Sequence, residues 1–190
     1  MNGQTGTAQS TVWRAANADA AGQTMVVLLV GNETTQVQAG AGLQPEVLVT
    51  LPVGALRCGE TGFRHDPPTP HEMELAIMAV EDHVMPLARQ LPPGGTLYTA
   101  DAAIRHIAHA AIRHIAHAAG LTDTTRLVLP LLDVERVYNL LVDVALGRPA
   151  SISGVRTDPP FAGTLTLLRE FMHHLGFASV VILPTTDQPA

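Results

Sequence analysis

Apolar and polar positions change period several times along this chain, and each change marks an element. Met25–Val30, MVVLLV, is an unbroken apolar run of strand length, the pattern of a strand covered on both faces. Gly31–Thr34 is turn material, after which Val37 and Ala39 alternate with Gln36 and Gln38, as in a half-exposed strand. Glu46–Leu51, EVLVTL, supplies a third strand, and the short connections make these strands an antiparallel meander.

Helical signals follow. Thr69 can cap, Pro70 suits a first helical position and Glu72 completes a capping box, ahead of an apolar stripe of Met73, Ile77, Val80 and Val84. Pro86 kinks or ends that helix, and the PPGG of Pro92–Gly95 stops it. Thr96–Ala100 reads as a fourth strand and Asp101 as the cap of a helix running to Gly120. Asp133 opens a further helix closed by Gly147, and Gly147–Pro160 is a loop. Phe161–Leu175 is a last helix stopped by Gly176, and Ala178–Leu183 a final strand. The three-stranded meander is thus followed by strands separated by helices and therefore parallel. Residues 1–23 are small and polar and read as a flexible tail, 24–184 as one α/β domain, and 185–190 as a second tail.

Composition narrows the functions. At 190 residues, 46% apolar, the chain suits one folded domain. Its basic residues are 11 arginines without a lysine, and a net charge of −6 gives no electrostatic reason to expect nucleic-acid binding. A polyanionic substrate would need a local arginine cluster. The lone Cys58 excludes an intramolecular disulfide, as suits a reducing cytoplasm, and reads as a small buried hydrophobe. The opening MNGQTGTAQS lacks a basic start and an apolar run, so neither a signal peptide nor a membrane span is expected there. A cytoplasmic protein is the expectation.

Ala102–His109 and Ala110–His117 are identical octapeptides, AAIRHIAH, which points to a recent duplication. Wound at about 100° per residue, Ile104, Ile107, Ile112 and Ile115 form one stripe, while His106, His109, His114 and His117 fall opposite, with Arg113 among them. An arginine within the set, and no carboxylate beside it, argue for surface histidines over a metal site. No metal site is expected from these residues.

With this order in place, several stretches resemble the Ppx/GppA family of exopolyphosphatases and guanosine pentaphosphate phosphohydrolases. Val26–Gly40 looks like the family's phosphate loop, of the type D-I-G-G-G-S-T-E, and LPVGALR at Leu51–Arg57 is similar to its l-P-l-G-a-v-r. DPPTPHEM at Asp66–Met73, PPGGTLYTADAAIRHIAHAAG from Pro92, and FAGTLTLLREFMHHLGFASVVIL from Phe161 extend the likeness over about residues 25–183. It implies the second lobe of an actin-like ATPase fold, a ribonuclease H-like mixed sheet with an antiparallel βββ meander followed by parallel strands and helices. It also implies phosphoanhydride hydrolysis assisted by Mg²⁺, in a cleft shared with a first lobe.

The departures fall on the chemistry. Aligning Thr35-Gln36 with the family's T-E puts Leu29 at its aspartate; Gly31, Asn32 and Glu33 replace three glycines, Thr34 the serine, and Gln36 the glutamate. Glycines there let backbone N–H groups approach phosphate; a Cβ at Asn32 and a charge at Glu33 oppose it. Ala100, Asp101 and Ala102 stand about where a second G-G-T would be, and Asp101 sets its own carboxylate at a helix end that attracts anions. The candidate site is therefore Glu33 as a relocated base, with Gly31, Asn32, Thr34, Thr35 and Asp101 as phosphate contacts. The expectation is a lobe impaired in hydrolysis by itself. The alternative is a non-catalytic phosphate or nucleotide sensor, or a lobe that binds a partner as a homodimer or with a separate first-lobe chain.

Overall fold

The computed structural model describes residues 3–58, 62–116 and 127–184. At its centre is β1 (Met25–Val30), paired antiparallel with β2 (Thr35–Gly40) and parallel with β4 (Thr96–Thr99). β2 pairs antiparallel with β3 (Val47–Leu51), setting Val37 opposite Val49. β4 pairs parallel with β6 (Ser179–Ile182), which pairs antiparallel with β5 (Leu127–Pro130). The result is a six-stranded sheet ordered β3-β2-β1-β4-β6-β5. β5 departs from the expected order. It is only four residues long, Val128 is exposed, and Pro130 both ends it and stands at the cap of the next helix.

The unbroken apolar run of β1 has the predicted cause. Val26 and Leu28 face a large core, while Met25 and Val27 face a smaller one on the opposite side. The large core is closed by α2 (Pro70–Val84), α3 (Ala102–Ala116), α4 (Leu131–Ala145) and α6 (Pro159–Leu175). α6 is its axis: Leu165, Leu167, Leu168, Phe171 and Met172 are fully buried, each contributing about 1.5–3 kcal/mol relative to an exposed position. Asp158 caps α6 through the Phe161 N–H (3.2 Å), and Gly176, at φ 73°, ends it in the left-handed conformation that glycine adopts without a Cβ clash. A one-turn helix, α5 (Ala150–Ser153), lies within the expected loop.

The second core corrects the reading of residues 1–23 as a tail. Gly3–Ala20 is a helix, α1, lying across Met25, Val27, Tyr98, Val181 and Leu183. Its small, polar sequence gives little intrinsic drive to fold; docking does the ordering. Trp13 is buried with its indole N–H donating to the Gly42 carbonyl (3.2 Å), and the Tyr98 hydroxyl donates to Asp19 (2.9 Å). Residues 185–190 lie outside the described residues.

The capping box of α2 forms as the sequence indicates. The Thr69 hydroxyl accepts from the Glu72 N–H (3.2 Å), and Glu72 accepts from the Thr69 N–H (2.8 Å). Its other carboxylate oxygen takes the Arg64 N–H and the His65 ring, both at 2.9 Å. Burial alone would raise the Glu72 carboxyl; these donors, led by the Thr69 N–H, outweigh it and hold the group at about 2. The helix gives way at Val84 to a 3-10 segment, Met85–Arg89, containing the helix-breaking Pro86. No helix among the described residues is long and apolar enough to cross a membrane.

Candidate functional site

The turn between β1 and β2 stands at the end of the sheet where β1 and β4 finish in parallel. The Gly31 N–H closes it on the Thr34 carbonyl (2.9 Å). Gly31, Asn32, Glu33 and Thr34 are exposed, so these predicted residues do share one tip. Thr35 does not join them. In the β2 register its side chain turns into the core, fully buried, and its hydroxyl donates to the Val53 carbonyl (2.8 Å). A threonine beside a turn reads as polar surface; the alternation of the strand sets it inward instead.

What holds the turn is the segment after β3. The Ala55 and Leu56 N–H groups donate to the Gly31 and Asn32 carbonyls, both at 2.8 Å. Gly54 makes this approach possible, because a Cβ there would stand 2.5 Å from the Gly31 oxygen and 2.6 Å from that of Asn32. The same segment is wedged from behind by α6, where a Cβ on Gly163 would lie 1.9 Å from the Ala55 carbonyl oxygen. Cys58 lies in that wedge, its thiol near the Gly54 (3.2 Å) and Gly163 (3.7 Å) carbonyls, and burial pushes it up to about 12. It is therefore a protonated thiol, in agreement with its reading as a buried hydrophobe. The buttressing role of Gly54 and Gly163 was not visible in spacing alone, although LPVGALR and FAG carried the glycines.

Asp101 lies beside this turn at the start of α3. Its carboxylate accepts from the Ala103 (2.7 Å) and Ile104 (3.4 Å) N–H groups, with the Val30 backbone of β1 a further partner. Burial raises its pKa, and those three donors only partly offset the rise. Asp101 is thus the expected helix cap, and it occupies the positive end of α3 at which an anion would bind. In the helix itself Ile104 and Ile107 are buried and His106 is exposed, as the face analysis of the first octapeptide requires; the side chains from 112 onward and residues 117–126 lie outside the described residues.

Mg²⁺ is normally held by carboxylates together with substrate phosphates. The turn region offers the exposed Glu33 and an Asp101 carboxylate already engaged by backbone donors. These residues do not fit a Mg²⁺ site.

This sheet order, an antiparallel meander continued by parallel strands, matches the actin-like ATPase fold class. Within that class the chain is similar to solved Ppx/GppA structures. The Aquifex aeolicus Ppx/GppA phosphatase, type II variant, superimposes with a TM-score of 0.68 at 14% identity, covering 94% of this chain and 59% of its own. A second structure of the Aquifex aeolicus enzyme gives 0.70 at 15% identity, over 93% and 58%. An exopolyphosphatase from Cytophaga hutchinsonii gives 0.66 at 14%, over 94% and 60%. The chain therefore spans about 59% of the length of the structures it matches. No protein-family model matches the sequence, and no curated protein does.

Proposed function

We propose that this chain is a Ppx/GppA-related lobe in which the phosphate turn serves the fold, with little or no phosphoanhydride hydrolysis by itself. The observation that carries this reading is where the turn's hydrogen-bonding groups go. The Gly31 N–H and the Thr35 hydroxyl are both spent within the protein, and Asp101 fills the helix end beside them. A phosphate cradle needs such donors free and convergent. Glu33, exposed at the tip, adds negative charge where a polyphosphate or a guanosine pentaphosphate would approach.

The test is phosphate release by the purified chain from long-chain polyphosphate and from guanosine pentaphosphate, with Mg²⁺, beside Glu33→Ala. Background release in both proteins is expected. Release by the parent chain that vanishes in Glu33→Ala would establish a rebuilt site and overturn the proposal.

A second reading is favoured by the length relation. The matched structures extend well beyond the part this chain covers, so a separate first-lobe chain or a second copy is a natural partner. Exposed Leu56, beside the turn, would lie at such a contact. Sedimentation of the chain alone, and with a candidate first lobe, distinguishes these partners from a lone lobe that senses a phosphate or nucleotide.

A further inference from the structure

We propose that Glu81, Glu170 and His174 bind one divalent transition-metal ion of the zinc type, joining α2 to α6 at the end of α6 remote from Gly163. Glu170 and His174 are four apart on α6 and share a face, and Glu81 meets them from α2. His174 Nε2 lies 2.9 Å from Glu81 Oε1 and 3.3 Å from Glu170 Oε2, and one donor atom from each residue falls within 4.8 Å of the others.

In a tetrahedral zinc shell, bonds of about 2.0–2.1 Å place neighbouring donor atoms about 3.3 Å apart. Two of the three donor pairs, at 2.9 and 3.3 Å, lie close to that spacing, and the third is within 4.8 Å. A single ring nitrogen carries at most one proton and so makes one good hydrogen bond, yet two carboxylates from two helices converge on it. A cation in place of that proton satisfies both.

Charge points the same way. Glu170 is only 1% exposed, a burial that is costly for a carboxylate without compensation. Arg169 pairs with its other oxygen, and Glu81 brings a second carboxylate to the same ring nitrogen. The donor set, one imidazole and two carboxylates, selects zinc over Mg²⁺ or Ca²⁺, which take six or more oxygens. Access exists as well. His174 lines a cleft of about 290 Å³ between Leu91–Gly95 and the Leu175–Phe177 turn, and both His174 and Glu81 are partly exposed, so solvent reaches the cluster. The site is separate from the octapeptide histidines and from the β1–β2 turn.

The test uses the full chain, stripped with chelator, in a background where His106, His109, His114 and His117 are alanine, so that the repeats contribute nothing. Titration calorimetry with Zn²⁺ is expected to show one ion per chain, with a rise of several degrees in the thermal midpoint that Mg²⁺ does not produce. Affinity should fall at least tenfold in His174→Gln. It should fall similarly in Glu81→Gln, whose partly exposed position keeps the fold testable by circular dichroism if the first variant is damaged. No Zn²⁺ binding in the background chain, or undiminished affinity in both variants, overturns the site.

Discussion

Gly163→Ala sets two forces against each other. By helix propensity alone, alanine stabilises a helix interior by about 1 kcal/mol relative to glycine. Here the new Cβ would stand 1.9 Å from the Ala55 carbonyl oxygen, 2.8 Å from its carbon and 3.2 Å from its Cα. All three are backbone atoms, so no change of rotamer relieves the overlap; α6 or the Val53–Arg57 segment must move. Overpacking of this kind costs about 1–3 kcal/mol, and the upper end applies where backbone has to shift. Setting about 3 against about 1 leaves a net loss of about 2 kcal/mol. For a chain of this size that lowers Tm by about 4–8 °C. Movement of the segment would also strain the two 2.8 Å bonds from Ala55 and Leu56 to the turn. Thermal unfolding followed by circular dichroism measures the loss. Gly42→Ala is the control, because a Cβ there meets nothing closer than 3.8 Å. A Gly163→Ala chain as stable as its parent would refute the direct seating of α6 on the loop.

Further expectations concern the second core and the charged caps. Trp13→Ala should cost about 3 kcal/mol, since it empties a fully packed site and removes the bond to Gly42; a Tm within a degree or two of the parent would show that α1 docks by other means. Glu72 is held below its ordinary value, so its stabilisation is complete above 4.5 and drains away as pH falls toward 2; in Glu72→Gln the Tm should vary less with pH over that window, and equal slopes would contradict the assignment. Asp101 has the opposite sign. Its folded form keeps a proton above the ordinary 3.8, so stability falls as pH rises through the window just above that value. Asp101→Asn preserves a good cap without the charge and should be at least as stable as the parent at pH 7, with the two converging near pH 3; a variant clearly weaker at pH 7 would show that the ionised cap is a net gain.

Sequence reading succeeded where the signal is local. Thr69, Asp101 and Gly176 each satisfy backbone groups a few residues away, and β1 declares itself because both faces of one strand are apolar. It failed where order comes from distance. α1 has almost no period of its own and is fixed by Trp13, which reaches 29 residues along the chain to Gly42. β5 is too short to show alternation and exists because β6 offers it an edge. At the candidate site, residue identities placed Gly31, Asn32, Glu33 and Thr34 together in one turn, and the structure sets all four at one exposed tip. They did not reveal that Thr35 faces inward, since that depends on the register of β2 against its neighbours. Nor did E-x-x-x-H at 170–174 stand out before Glu81 was brought against it from α2.

The turn is built in two layers with different tolerances. Behind it, Gly54 and Gly163 allow three stretches of backbone to meet at distances that leave no room for a Cβ, and the Gly31 and Asn32 carbonyls point into that junction. In front, Asn32, Glu33 and Thr34 face solvent. Changes in the rear layer are paid in stability; changes in front alter charge and hydrogen bonding at the mouth with little effect on folding. The front residues can therefore change without loss of this fold, because the glycines that seat the backbone, Gly54 and Gly163, lie behind them. The separation also makes the front layer experimentally clean. Substitutions at Glu33 and Asn32 test whether the mouth binds an anion, without the loss of fold that would confuse the same experiment at Gly54.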